Sequence, residues 1–124
     1  TLVRAETREW DIVAIEINKT KFWLPTQITA HSGVEFSIHD GMTLTVKKGD
    51  TVILHPKSFV EGANNIHGFA ISEYKVAELV DGKGIVKHPD QAIRIQADRA
   101  GVFKIFCHLH PAHVGGVLKV EAAE

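Results

Sequence analysis

Turn-forming residues break this chain about every ten residues, a spacing that leaves little room for long helices. The breaks contain glycine, Asp-Gly pairs or proline, at Gly33, Asp40-Gly41, Lys48-Gly49-Asp50, Gly62, Gly68, Asp81-Gly82, Gly84, Pro89 and Gly101. The segments between them are short and rich in β-branched and aromatic residues. This pattern is typical of a sandwich or barrel of antiparallel strands. We therefore predict an all-β fold.

The predicted strands follow the segments between the turns. They cover residues 10–17, 33–39, 43–47, 51–55, 66–71, 91–97, 102–107 and 117–121. We expect 43–47 and 51–55 to pair as a hairpin, and Pro56 to end the second strand because proline cannot donate to a ladder. Pro25 places the apolar segment 22–25 at a bend or a sheet edge. Residues 73–80 fit either a short helix or another strand.

Length and charge limit the organisation and the partners of the chain. A chain of 124 residues fits one domain, spanning residues 1–124. The formal net charge of −1 gives no basic surface, so we expect neither nucleic acid nor an anionic membrane as a partner. No apolar run approaches the ~18 residues of a membrane span. The chain starts at Thr1 without methionine, which suggests a processed or trimmed chain and is compatible with export.

One short segment concentrates the metal-binding residue types. Residues 106–113 read Phe-Cys-His-Leu-His-Pro-Ala-His and contain the only cysteine, Cys107, with three of the eight histidines. A thiolate is a soft ligand, and imidazole suits copper and zinc. The alternative is an inert buried cysteine beside surface histidines. Because His110 and His113 follow Cys107 at three and six residues, we favour a metal site.

Three ligands from one loop leave a transition metal short of a stable shell, so a fourth should come from elsewhere. His67 is the best candidate, because it begins a predicted strand and precedes Gly68, which lets a neighbour approach closely. Asn64 or Asn65 could link the two ligand-bearing segments by hydrogen bonds. A simple turn role explains either asparagine equally well.

The remaining histidines and the single methionine are expected to lie outside the site. His108 follows Cys107 on a strand, so its side chain should point the opposite way and be exposed near the site or packed. Met42 follows a turn, and we expect it to be a packing or surface residue. The histidines expected at the surface are His31, His39, His55 and His88.

Three segments together resemble the cupredoxin family. They are residues 65–69 (Asn-Ile-His-Gly-Phe), residues 100–111, which end in Cys-His-Leu-His-Pro, and residues 118–121 (Leu-Lys-Val-Glu). Residues 44–50 also resemble an early hairpin of that family, so the likeness spans most of 33–121. The resemblance implies a Greek-key β-sandwich or barrel and one copper ion that alternates between Cu(I) and Cu(II). It also implies one-electron transfer in the periplasm or another exported compartment.

Among cupredoxins the chain looks most like nitrosocyanin, the red copper protein. It has His67 where nitrosocyanin has a glutamate ligand, and its ligand loop is two residues shorter. The loop length is that of amicyanin, but His113 stands where amicyanin has its axial methionine. The resemblance implies Cys107, His67 and His110 as a trigonal ligand set with His113 as the fourth ligand. An imidazole is a stronger donor than a thioether, so we expect a lowered reduction potential and a green or red colour.

Electron transfer is the leading function, and several alternatives remain open. A catalytic or small-molecule-binding role needs an open copper position, and copper handling for metal tolerance is a third reading. Cys107 could instead be a nucleophile activated by His110, or the same ligands could hold a structural zinc. Colour separates these, because Cu(II)-thiolate absorbs visible light whereas zinc and a free thiol do not. A binuclear copper centre needs two cysteines, and this chain has one.

Overall fold

Alternating burial along the short segments between turns organises the chain into β-strands. The computed structural model describes residues 5–26, 33–60, 66–110 and 112–122. The strands in these residues are β1 (Thr7–Ile17), β2 (Thr20–Pro25), β3 (Val34–Ser37), β4 (Gly41–Lys47), β5 (Thr51–Ser58), β6 (His67–Ile71), β7 (Val76–Asp81), β8 (Gly84–Ile85), β9 (Ile93–Gln96), β10 (Gly101–Ile105) and β11 (Gly116–Glu121). The prediction of an all-β fold is therefore confirmed.

The strands form two four-stranded sheets and one smaller sheet. One sheet has the order β2-β1-β5-β9, the second β10-β11-β4-β3, and the third β6-β7-β8. Most neighbouring strands are antiparallel, but β1 pairs with β5 and β11 pairs with β4 in parallel. These two pairs depart from the antiparallel arrangement expected for the strands. Each joins strands far apart in the sequence, which a hairpin connection cannot do.

A single apolar core fills the space between the two large sheets. Both sheets contribute alternate residues, as the period of two along a strand requires. The most deeply buried members are Ile12, Trp23, Met42, Leu44, Leu54, Phe69, Ile71, Ile105 and Leu118. Met42 is thus a packing residue. On β10 the buried positions Phe103 and Ile105 continue the same alternation to Cys107, which therefore faces inward.

The turn at residues 48–50 carries the chain from one sheet to the other. β4 pairs with β3 and β11, whereas β5 pairs with β1 and β9, so the predicted hairpin of 43–47 with 51–55 was wrong. Asp50 fixes the crossing, because its buried carboxylate accepts hydrogen bonds of 2.9 Å from the backbone N–H groups of Lys47 and Glu6. A strand with alternating apolar residues can face the core from either sheet. Alternation therefore does not show that 43–47 and 51–55 belong to the same sheet, which explains the error.

The structure confirms one local prediction, contradicts a second, and contains both alternatives of a third. Pro25 ends β2 at a sheet edge, as predicted. Pro56 does not end β5, because β9 covers β5 only as far as Leu54 and proline is tolerated on the uncovered side. Residues 73–80 contain both predicted possibilities, a 3₁₀ helix at Ser72–Tyr74 and then β7. In the part of the chain that the structure describes, no helix is long and apolar enough to cross a membrane.

Replacing Asp50 by alanine should weaken the fold at the sheet crossing. The variant leaves two backbone N–H groups without their charged acceptor, so we expect a loss of about 2–3 kcal/mol in the free energy of unfolding. Denaturant unfolding followed by far-ultraviolet circular dichroism measures this. Asp40→Ala, at an exposed turn, is the matched control and should change stability by less than about 0.5 kcal/mol. Equal effects of the two variants would contradict this role of Asp50.

Candidate metal centre

A pair of backbone hydrogen bonds brings the two ligand-bearing segments together. The N–H of Ala70 donates to the carbonyl of Phe106 at 2.8 Å, and the N–H of Phe106 donates to the carbonyl of Ala70 at 3.0 Å. This antiparallel bridge joins β6, which begins with His67, to Phe106, which lies between the end of β10 and Cys107. The N–H of Gly68 then donates to the Cys107 Sγ at 3.1 Å. The predicted meeting of His67 with Cys107 therefore follows from strand pairing.

Three of the predicted ligands form one compact group. The donor atoms of His67, Cys107 and His110 all lie within 4.8 Å of one another, and the Cys107 Sγ is 3.8 Å from the His110 Nδ1. His67 and Cys107 are buried, with 1% and 4% of their surface exposed, whereas His110 is partly exposed. Among the described residues this is the only such group of three or more histidine, cysteine or acidic side chains.

The fourth predicted ligand, His113, lies beside this group and contacts His67. The Nδ1 atoms of the two rings are 3.1 Å apart, and their ring centroids are 4.8 Å apart at an interplanar angle of 81°. His113 is not part of the group whose donors share mutual distances within 4.8 Å. The structure thus brings the four residues to one place, with His113 on the His67 side.

Burial keeps the two inner histidines neutral. Desolvation, followed by the nearby His67, lowers the pKa of His113 from 6.5 to about 4, and a backbone interaction with Phe22 opposes this to a lesser extent. Desolvation is also the main cause that lowers the pKa of His67, with His110 second. A neutral imidazole offers a lone pair to a metal ion, whereas an imidazolium offers none. Both rings are therefore in the metal-binding protonation state at pH 7.

Trp23 joins the edge strand β2 to both ligand-bearing segments, and sequence reasoning missed it. Its indole stacks on the His113 ring, with centroids 5.2 Å apart and planes 16° apart, and its Nε1–H donates to the Gly68 carbonyl at 2.9 Å. The linking role considered for Asn64 or Asn65, beside an equally good turn role, stays a prediction because both residues lie outside the described residues. The available signal was a tryptophan in an apolar strand, because a buried indole N–H usually needs an acceptor.

The histidines outside the predicted ligand set are exposed or partly exposed where the structure describes them. His108 is exposed, as expected, but it also lies against Gly68: a Cβ added there would be 2.5 Å from the His108 Nδ1. This confirms that Gly68 permits a close approach. His39 and His88 are exposed, and the partly exposed His55 pairs with the Glu9 carboxylate. His31 and Pro111 lie outside the described residues.

Adding a methyl group at Gly68 should loosen the Cys107 segment. The new Cβ would lie 2.5 Å from the His108 ring and 2.9 Å from the His108 backbone nitrogen, so residues 107–108 must move. We expect Gly68→Ala to cost about 1–3 kcal/mol. The metal-free Cys107 thiol should then react with an aromatic disulfide reagent roughly tenfold faster or more, since about 1.4 kcal/mol corresponds to a factor of ten.

The control for this experiment removes the His108 ring. His108→Ala alone should leave the thiol reaction rate close to that of the wild type. The double variant should recover part of the Gly68→Ala effect, because the ring contact is gone and the backbone contact remains. An unchanged thiol reaction rate in Gly68→Ala would contradict the close packing described here.

Comparison with solved structures identifies the type of fold. No protein-family model matches the chain, and no curated protein matches it by sequence. Among solved structures, the chain is similar to a Cu-containing nitrite reductase from Thermus scotoductus SA-01 (TM-score 0.54, 15% identity, 98% of this chain and 28% of that one) and to a multicopper oxidase (TM-score 0.53, 18% identity, 94% and 42%). It therefore spans less than half the length of either protein. The chain has a cupredoxin-like fold.

Proposed function

We propose that this protein binds one copper ion through His67, Cys107, His110 and His113 and transfers single electrons. The observation that carries the proposal is the convergence of one thiol and three imidazoles from two distant parts of the chain. Two of the imidazoles are buried and neutral, which is the form that binds metal.

The separations between the donor atoms fit a single ion. With metal–nitrogen distances of about 2.0–2.1 Å, two nitrogen ligands in a tetrahedral site stand about 3.3 Å apart. With sulfur at about 2.3 Å, a sulfur and a nitrogen stand about 3.6–3.8 Å apart in tetrahedral to trigonal geometry. The Nδ1 atoms of His67 and His113 are 3.1 Å apart, and the Cys107 Sγ and His110 Nδ1 are 3.8 Å apart. These pairs need little adjustment to bind one ion.

The donor set and the fold favour copper over zinc. A soft thiolate together with imidazoles suits copper, although one cysteine and three histidines can also form a tetrahedral zinc set. Two solved proteins that share the fold are a Cu-containing nitrite reductase and a multicopper oxidase. The resemblance of residues 65–69 and 100–111 to cupredoxin segments supports the same choice.

Electron transfer is the role that this arrangement supports best. His67 begins β6, Cys107 comes shortly after β10, and backbone hydrogen bonds between Ala70 and Phe106 tie the two segments, which favours a site that rearranges little between two oxidation states. A catalytic or small-molecule-binding role would need an open position, which His113 occupies in the proposed ligand set. A protein that stores or buffers copper would benefit from several metal-binding groups. The described residues contain one such group, which favours electron transfer over copper handling.

We also propose a compartment, a domain organisation and partners for the protein. We place it in the periplasm or another exported compartment as a single domain of residues 1–124, because the resemblance to cupredoxins implies export. Its partners would be redox proteins that exchange electrons through the partly exposed His110. A nitrosocyanin-like identity is part of this proposal and rests on the same segments.

Copper titration should give a coloured protein at one ion per chain. We expect intense visible absorption from a Cu(II)-thiolate, and Cys107→Ser should remove that absorption. Binding should weaken on His67→Ala as well, while His88→Ala, which changes an exposed histidine outside the proposed ligand set, should behave like the wild type. A colourless protein that binds zinc stoichiometrically and copper weakly would replace the copper proposal by a structural zinc.

Replacing His113 by methionine should raise the reduction potential. A thioether donates less strongly than an imidazole and so stabilises Cu(II) less. We expect at least a tenfold change in the relative affinity for Cu(I) and Cu(II), which is about 59 mV for one electron. Protein-film voltammetry measures this, with His108→Met on the same loop as the control. An unchanged potential and spectrum would remove His113 from the ligand set.

A further inference from the structure

We propose that Trp23 is a positioning residue of the metal centre, which fixes the plane of the His113 ring and the backbone of Gly68. The inference rests on the copper site proposed above and deepens it. Trp23 does not itself offer a ligand to an ion. It contacts one proposed ligand directly and acts on a second through one intervening residue.

The edge strand β2 holds Trp23 rigidly against the ligand loop. Trp23 has no exposed surface and pairs with Ala14 on β1. On the opposite side of β2, the backbone N–H of Trp23 donates to the Val114 carbonyl at 2.9 Å, and the N–H of Val114 donates to the Lys21 carbonyl at 2.8 Å. The residue directly after His113 is thus tied to the same strand that carries the indole.

The indole restricts the rotation of the His113 ring. The two rings are stacked at 5.2 Å with an interplanar angle of 16°, while Phe69 packs edge-on against the indole at 5.2 Å and 82°. An imidazole in this stack keeps its plane, so its Nδ1 stays directed at the Nδ1 of His67. A histidine binds a metal ion along its in-plane lone pair, so fixing the plane fixes the direction of the bond.

The indole N–H connects Trp23 to the sulfur through Gly68. The Nε1–H donates to the Gly68 carbonyl at 2.9 Å, and the Gly68 N–H donates to the Cys107 Sγ at 3.1 Å. Hydrogen bonds to a coordinating cysteine sulfur tune the potential of a copper site. Loss of the indole donor would free the Gly68 backbone to turn and would weaken that bond to the sulfur.

Two substitutions separate the contributions of the ring and the N–H group. Trp23→Phe keeps an aromatic ring but removes the donor, and Trp23→Leu removes both. The matched control is Trp10→Phe, because Trp10 is the other tryptophan of the chain and is also buried, on β1 beneath Arg8. Any effect that comes only from shrinking a buried tryptophan should appear in the control as well.

The first readout needs no metal. In the metal-free protein, the ring protons of His113 should show an upfield ring-current shift in nuclear magnetic resonance spectra. This shift should be lost in Trp23→Leu, partly kept in Trp23→Phe and unchanged in Trp10→Phe. It reports the stacking itself, independently of whether the site takes copper.

The second readout uses Cu(II) affinity, from competition with a chelator, and the wavelength of the thiolate absorption band. We expect Trp23→Leu to lose 10- to 100-fold in affinity, the range typical of residues that orient metal ligands. Trp23→Phe should shift the thiolate band with a smaller loss of affinity. Trp10→Phe should match the wild type in both measurements.

The outcomes distinguish this inference from the copper proposal. A wild type that takes up no copper overturns the proposed function, while the metal-free spectra still decide whether Trp23 orients His113. A wild type that binds copper together with Trp23 variants of unchanged affinity and band position overturns the role of Trp23. If Trp23→Leu does not fold, Trp23→Phe and the wild-type ring-current shift decide the question.

Discussion

The backbone bridge between Ala70 and Phe106 is the interaction on which the rest of the site depends. Its two hydrogen bonds join the small sheet to β10 and bring the N–H of Gly68 to the Cys107 sulfur. Each bond contributes only about 1 kcal/mol net, but a ladder position also fixes which residues face each other. The donor atoms are therefore close together before any ion arrives, and binding needs little ordering of the chain.

The contact between the Nδ1 atoms of His67 and His113 is the part of this arrangement that an ion would replace. At 3.1 Å, one neutral ring donates a hydrogen bond from its Nδ1–H and the other accepts it on an unprotonated Nδ1. Both rings can bind an ion through Nδ1 only if the donating ring moves its proton to Nε2. The Nε2 atoms of both rings are buried and have no hydrogen-bond partner among the described residues. The metal-free site is thus preorganised in position but not in the placement of its protons.

Local sequence signals predicted most of the strands, because the alternation of apolar residues and the turns between them depend on neighbours in the chain. The spacing of Cys107, His110 and His113 indicated a metal loop, and Gly68 pointed to His67. Apart from Pro56, which does not end β5, the errors concern which distant segments lie next to each other. The hairpin of 43–47 with 51–55 was wrong because alternation marks a buried face and does not tell which sheet the strand joins. Trp23 was missed because its partner Gly68 lies 45 residues away.

The stacked tryptophan and the histidine at position 113 have a common physical explanation. A thioether sulfur can approach a metal ion from many directions, so a flexible methionine needs little support from its surroundings. An imidazole has to present one nitrogen within the plane of its ring, and that plane turns freely about the side-chain bond unless a neighbour holds it. Trp23 is held by two neighbouring segments and by Phe69, and it supplies such a plane. In the proposed copper site, the rigid aromatic surface of Trp23 therefore suits a histidine at position 113 better than a methionine.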